Sequence, residues 1–311
     1  METLSVIQPY TLWDLTHHSI MYPSDILYLN GDYIIIDQYN HRILWIDNKG
    51  ALIRSSCKCG GTKNLFQYPT SLCTDYHDSI WVTDRWNHCV RHLSGKGELL
   101  GSFGVYGTQP GTFSEPWGIG FNSGKLYVSD RNNHRIQVFD TQGNFITAFG
   151  NSGPDKEYFE SNDFKRGFIF EHWKNISHKF LTYDTLFYDN EYTIGTFEYP
   201  QNLSLSPSGN IAVADTGNDR IQIFSSSGSL IESITTHAMP DKSDFFSDIL
   251  FIDDDTLLIT AELNNIAYRK SGNCVETYYT LPEGRLNCIS KGANGDVIAL
   301  DTWNAKLAFF K

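Results

Sequence analysis

The acidic and amide side chains of this chain recur in a pattern that could do chemistry. Residues 37–50 read DQYNHRILWIDNKG, 84–97 read DRWNHCVRHLSGKG, 130–143 read DRNNHRIQVFDTQG, 215–228 read DTGNDRIQIFSSSG and 301–311 read DTWNAKLAFFK. Each starts Asp-x-x-Asn, and in four of them Arg42, Arg135, Arg220 or Lys306 follows. A carboxylate beside an amide and a cation could act as a base or hold a metal. Recurrence points the other way. An active site is singular, whereas a turn needed in every unit is rebuilt in every unit, and Asp and Asn fix turns by accepting backbone N–H groups. His41, His88 and His134 resemble a zinc triad, but they too occupy a repeat position.

The elements that must position these residues follow from the spacing. Asp37 to Asp84 is 47 residues and Asp84 to Asp130 is 46. Asp130 to Asp215 is 85, one period plus an insertion, and Asp215 to Asp301 is 86, which leaves room for a degenerate unit over 252–273, with Ala261 at the Asp position and Asn264 at the Asn position. Each unit opens on a second marker: Pro23-Ser24-Asp25-Ile26, Pro69-Thr70-Ser71-Leu72, Pro116-Trp117-Gly118-Ile119 and Pro200-Gln201-Asn202-Leu203, with weaker versions at Phe246 and Leu286. Four short alternating strands separated by turn residues make one propeller blade. The expected fold is therefore all-β, a six-bladed β-propeller. Residues 1–311 form a single domain, with an aromatic-rich insertion at 151–191 between the third and fourth blades. Tyr10-Thr-Leu-Trp13 alternates like a strand, while the last unit stops after its third. An N-terminal strand is thus expected to complete the C-terminal blade and close the ring.

Residues 129–150 (SDRNNHRIQVFDTQGNFITAFG) and 214–231 (ADTGNDRIQIFSSSGSLI) resemble units of the NHL-repeat family. The resemblance covers nearly the whole chain, weakly in the fifth unit. It implies the fold and leaves function open, because propellers of this kind serve in RNA-binding domains of ubiquitin ligases, peptide-amidating lyases and extracellular sensors.

Within that frame, positions the repeat does not dictate carry the information. The residues between Asp and Asn should project from one rim: Gln38 and Tyr39, Arg85 and Trp86, Arg131 and Asn132, Thr216 and Gly217, Thr302 and Trp303. Tyr39, Arg85, Trp86, Arg131 and Trp303, with Trp117 nearby, have the composition of a recognition surface. A second candidate is the channel mouth, where Asp25, Asn202 and Asp248 bring oxygen ligands toward the axis. These suit a divalent cation, Ca²⁺ or Mg²⁺ ahead of Zn²⁺. Their repulsion could equally raise a pKa for acid–base work. The insertion, with Glu171, His172, His178 and many aromatics, is expected to cover that mouth or meet a partner.

Bulk properties narrow the partners. Charged residues are 19 %, aromatics 14 % and hydrophobic residues 41 %, with a formal net charge of −12. That balance disfavours nucleic acid and anionic membrane. The start lacks a basic segment followed by an apolar run, and no stretch is long and apolar enough for a bilayer, so a cytoplasmic protein with reduced thiols is expected. Cys57-Lys-Cys59 is the one close cysteine pair. The reading is a β-propeller that recognises a peptide, protein or small-molecule ligand. The alternative is an enzyme, a metal-assisted lyase or hydrolase acting at the channel mouth, and RNA binding comes third.

Overall fold

A computed structural model describes residues 8–56, 66–150, 195–235, 239, 246–261, 266–280 and 284–311. The Cys57–Cys59 pair, Asn264 and the 151–191 insertion with its Glu171, His172 and His178 lie outside the described residues.

The described residues form six antiparallel four-stranded sheets. After β1 (Thr11–Asp14), the first blade is β2 (Pro23–Leu29), β3 (Asp32–Asp37), β4 (Arg42–Ile46) and β5 (Leu52–Ser56). The second is β6 (Pro69–Thr74), β7 (Ile80–Asp84), β8 (Cys89–Leu93) and β9 (Leu99–Phe103). The third is β10 (Pro116–Asn122), β11 (Lys125–Asp130), β12 (Arg135–Asp140) and β13 (Phe145–Phe149). The fourth is β14 (Pro200–Leu205), β15 (Ile211–Asp215), β16 (Arg220–Phe224) and β17 (Leu230–Thr235). The fifth is β18 (Phe246–Phe251), β19 (Thr256–Ala261), β20 (Ile266–Ser271) and β21 (Cys274–Thr280). The sixth contains β22 (Leu286–Lys291), β23 (Val297–Asp301) and β24 (Lys306–Phe310), with β1 beside β24 in the register Thr11 to Phe309 through Asp14 to Lys306.

Side-chain alternation builds the core, because successive residues of a strand face opposite sides. In β3, Tyr33 and Ile35 enter a cluster with Leu300, Leu307 and Phe309 of the sixth blade, while Ile34 and Ile36 enter one with Leu72, Ile80 and Val82 of the second. The middle strands are buried on both faces, which is why they read as apolar runs. Six clusters result, each shared by two neighbouring blades, the sixth and first included.

Every first strand carries a register shift just after its opening residue, between Pro23 and Asp25, Pro69 and Leu72, Pro116 and Ile119, Pro200 and Leu203, Phe246 and Asp248, and Leu286 and Cys288. Such bulges release backbone groups from the ladder and re-aim side chains. At this level the third and fourth blades converge on Gly118. A Cβ there would lie 2.7 Å from the Gln201 carbonyl oxygen and 2.9 Å from the Asn202 Cα.

Candidate functional site

The loop carboxylates are consumed by the turns they build. Asp37, Asp84, Asp130 and Asp215 are fully buried at the ends of β3, β7, β11 and β15. Each accepts a backbone N–H from the segment entering its own blade: Met21 at 2.7 Å, Gln67 at 2.7 Å, Ser114 at 2.7 Å and Glu198 at 2.6 Å. The Nδ2 groups of Asn40, Asn87, Asn133 and Asn218 donate to the same carboxylates. Arg42, Arg135 and Arg220 pair with Asp37, Asp130 and Asp215 at 2.6, 2.8 and 2.7 Å. In the second blade Cys89 stands at the Arg position, and Arg91 reaches Asp84 from two residues further on.

The three histidines link blades. His41, His88 and His134 sit in left-handed backbone, with φ of 55°, 53° and 53°. Their Nδ1 atoms accept the N–H groups of Tyr68, Glu115 and Tyr199, each at the entrance of the next blade, at 3.0, 3.1 and 3.2 Å. An Nδ1 that accepts carries no proton. Among the described residues, no group of three or more His, Cys, Asp or Glu is arranged to hold a metal ion. Burial holds the His41 and His88 pKa values below the ordinary ~6.5. As pH falls, the unfolded state therefore takes up these protons first. The stabilisation is complete above about pH 6.5 and is lost progressively below it. Asp248, pushed up to about 7, has the opposite slope in this window, so the histidine effect is read as a difference: from pH 7.5 to pH 5 (roughly the span over which histidines titrate) the Tm of His88→Asn should gain on that of the wild-type protein, since Asn tolerates the left-handed conformation. Equal slopes for the two proteins would count against this account.

At the channel mouth, the third residue of each first strand is Asp25, Ser71, Gly118, Asn202, Asp248 or Cys288. The Asp25 oxygens accept N–H groups of Ile26 at 2.7 Å and Leu72 at 2.9 Å, and those of Asp248 accept Ile249 at 2.9 Å and Ile289 at 2.8 Å. Leu72 and Ile289 belong to the next blade, so each carboxylate laces two blades through N–H groups freed at a bulge. The Cys288 thiol donates to Asp25 at 3.4 Å. Burial raises the Asp25 and Cys288 pKa values, and burial with the Asp25 charge pushes Asp248 up to about 7. Asn202 is 7 % exposed, and its buried Oδ1 has no hydrogen-bond partner among the described residues.

On the rim, the first residue of each loop is partly or wholly withdrawn. Gln38, Thr216 and Thr302 are buried rather than projecting, because the following short turn tucks them under the loop. The second residue stands out: Trp86 is 41 % exposed and Trp303 66 %. From the sixth blade, Arg285 lies over both Trp303 (5.8 Å) and Tyr22 (5.6 Å). Tyr22 stacks on Tyr39 at 4.7 Å and 11°, Tyr39 meets Tyr68 edge-on at 5.7 Å, and Tyr68 meets Trp86 at 4.0 Å. Next to Trp86, Arg85 lies over Trp117 at 4.5 Å, Arg131 over the same ring at 5.1 Å, and Arg131 also over Tyr199 at 4.9 Å. Arg85 is further paired to Glu115 through Nε and Nη2 at 2.8 and 2.5 Å. Burial pushes Glu115 upward, but the Arg85 charge and hydrogen bond, with Arg131 and His88, outweigh it and hold the carboxyl below its usual value. The result is a run of aromatic rings and guanidiniums over the sixth, first, second, third and fourth blades.

Comparison with known proteins adds the lineage. The NHL repeat model matches residues 66–93, 113–139 and 197–224, which are the cores of the second, third and fourth blades. The chain carries NHL repeats within a six-bladed β-propeller. Protein brain tumor of Drosophila melanogaster is 28 % identical over 136 residues, 42 % of this chain and 13 % of that protein. NHL repeat-containing protein 2 of Bos taurus is 31 % identical over 102 residues, 29 % of this chain and 14 % of that protein. The NHL propeller thus spans a small part of the relatives it matches. Among solved structures, virginiamycin B lyase from Staphylococcus aureus superposes with a TM-score of 0.60 at 16 % identity, over 96 % of this chain and 87 % of the lyase. A gluconolactonase from Xanthomonas campestris gives 0.64 at 8 % identity, over 93 % and 86 %. At these identities the likeness is one of fold. No helix among the described residues is long and apolar enough to cross a membrane.

The NHL motif itself hid half of the rim. Tyr22, Tyr68, Glu115 and Tyr199 each precede the proline that opens a blade, with φ of 54°, 51°, 56° and 48°. Arg285 holds the matching place before Leu286. The signal was present in the sequence as the dipeptide Tyr-Pro, recurring at 22–23, 68–69 and 199–200.

Proposed function

We propose that this protein is a recognition propeller, and that the rim bearing Tyr39, Arg85, Trp86, Trp117, Arg131 and Trp303 binds a peptide or protein segment. The observation that carries this is the succession of rings and guanidiniums over neighbouring blades, with Trp86 and Trp303 exposed at its crest. Tyr, Trp and Arg are the residues that dominate binding energy at interfaces, because rigid rings bury much area at low entropic cost. The rings are braced by ring–ring and cation–π contacts, so a partner meets a surface that is already ordered. Trp86→Ala and Trp303→Ala should each weaken partner binding by about 2 kcal/mol, roughly thirtyfold. Both should leave Tm nearly unchanged, since each indole is largely outside the core. Titration calorimetry with melting curves checks this, and undiminished affinity in both variants would exclude the rim.

A second reading is favoured by one observation, the unpartnered Asn202 Oδ1 beside a level that also bears Asp25 and Asp248. These three side chains would hold Ca²⁺ or Mg²⁺ at the channel mouth, and the ion would polarise a bound carbonyl in a lyase or hydrolase reaction. Against it, all four carboxylate oxygens already accept N–H groups, which accounts for their burial without an ion. Elemental analysis of the purified protein separates the readings: a stoichiometric cation lost in Asp248→Ala supports the enzyme, and a metal-free protein supports the rim.

A further inference from the structure

We infer that Arg131 is the anion-holding point of the rim and that it takes a carboxylate of a peptide, either an Asp or Glu side group or the peptide's free C-terminus, beside a residue that packs on the rings. This rests on the recognition reading above and names its ligand chemistry.

Three features converge on Arg131. Its guanidinium lies against two rings, Trp117 at 5.1 Å and Tyr199 at 4.9 Å, which fix the plane of its donor fork. Its Nε is buried and has no hydrogen-bond partner among the described residues, while its Nη1 donates to Asn132 Oδ1 at 3.1 Å. The nearby carboxylate is committed elsewhere, since Glu115 Oε2 accepts both Nε and Nη2 of Arg85. Glu115 thus acts on Arg131 through its charge, while its hydrogen bonds go to Arg85. Burial and the like charge of Arg85 lower the Arg131 pKa to about 10, so the group stays cationic at neutral pH yet under-compensated.

A desolvated cation with an open donor is poorly satisfied, and a planar carboxylate repairs both faults through charge-assisted hydrogen bonds. A single guanidinium suits one carboxylate. It does not suit a phosphate chain, which a protein of net charge −12 would repel. The rings that continue from Arg85 through Trp86 and Tyr68 to Tyr39 and Tyr22 supply the surface for an apolar neighbour of the acid.

The test is selection from a random dodecapeptide display library on the 311-residue protein, followed by fluorescence anisotropy with synthetic matched pairs. The pairs compare Asp or Glu with Asn or Gln, and a free C-terminus with its amide. Neutralising the acid should weaken binding to the wild-type protein by about tenfold or more. Arg131→Gln should bind both members of a pair equally, and Arg131→Lys should keep a reduced preference, with melting curves to verify the fold. The wild-type comparison stands even if a variant fails to fold. Selected peptides that need Trp86 but tolerate loss of the acid would overturn the anion assignment and leave the recognition reading intact. If no peptide is selected, both fall, whether or not a single-stranded RNA binds with steep salt dependence.

Discussion

Removing residues 1–14 should leave a polypeptide that no longer folds to a stable monomer. β1 is the outermost strand of the sixth sheet, and all the other strands of that sheet come from the C-terminal end of the sequence. Trp13 packs on Phe309 at 4.7 Å and on Tyr33 at 5.2 Å, so its ring seals the seam where the sixth blade meets the first. Tyr10 adds an N–H donated to the Phe309 carbonyl and a hydroxyl donated to Asp296 at 2.7 Å. Of the large apolar groups lost, Trp13 is partly buried and withdraws up to about 1.5–3 kcal/mol, while Tyr10 and Leu12, 51 % and 63 % exposed, withdraw less. A natural domain holds only about 5–15 kcal/mol in total. The deletion would also turn β24, Lys-Leu-Ala-Phe-Phe, into an unpaired apolar edge, which invites edge-to-edge aggregation. Size-exclusion chromatography and thermal melting should show aggregates and no cooperative transition. Adding residues 1–16 back as a peptide should restore part of the transition. A truncated monomer with an unchanged Tm would refute a closing role for the strand.

Asp215→Ala should be among the most destabilising single substitutions in the protein. Its carboxylate holds the Glu198 N–H, the Asn218 amide, the Gln222 amide and the Arg220 guanidinium at once. Arg220 is 3 % exposed at its side chain, so it would remain as a buried cation without its counter-charge. Breaking a buried pair in this way costs about 3–5 kcal/mol. The equivalent Asp37→Ala should cost less. Arg42 is 24 % exposed, and water can solvate it once the carboxylate is gone. Urea denaturation of the two variants should give a clearly lower midpoint for Asp215→Ala. Equal midpoints would show that the exposure of the orphaned guanidinium does not set the cost.

Most of the fold was legible in the residues because a repeat advertises itself several times. The Asp-x-x-Asn units mark the ends of β3, β7, β11 and β15, and the period-2 runs between them are the strands. Even the degenerate unit fell into place, with Ala261 pairing to Phe246 as Asp215 pairs to Pro200. The rim was legible only in part. Tyr39, Trp86 and Trp303 stood out as departures from the repeat, but Gln38, Thr216 and Thr302 proved to be buried, because a short turn withdraws its first residue and presents its second. Tyr22, Tyr68, Tyr199 and Arg285 lie outside the Asp-x-x-Asn loops, and although Tyr-Pro recurs at three of these places, the dipeptide does not show that the left-handed entry to each blade turns its ring onto the rim.

The sequence by itself determined which side chains alternate, where each turn falls and which carboxylates recur, since these are local properties of backbone sterics and short-range hydrogen bonding. Tertiary structure alone decided which residues meet. Arg131, in the loop after β11, finds Trp117 of its own blade and Tyr199 at the entrance of the next, and Asp25 and Asp248 share Cys288 although the three lie far apart in the sequence. The physical reason is that such contacts are set by how neighbouring blades pack face to face around a common axis, and that geometry belongs to the ring as a whole rather than to any one segment.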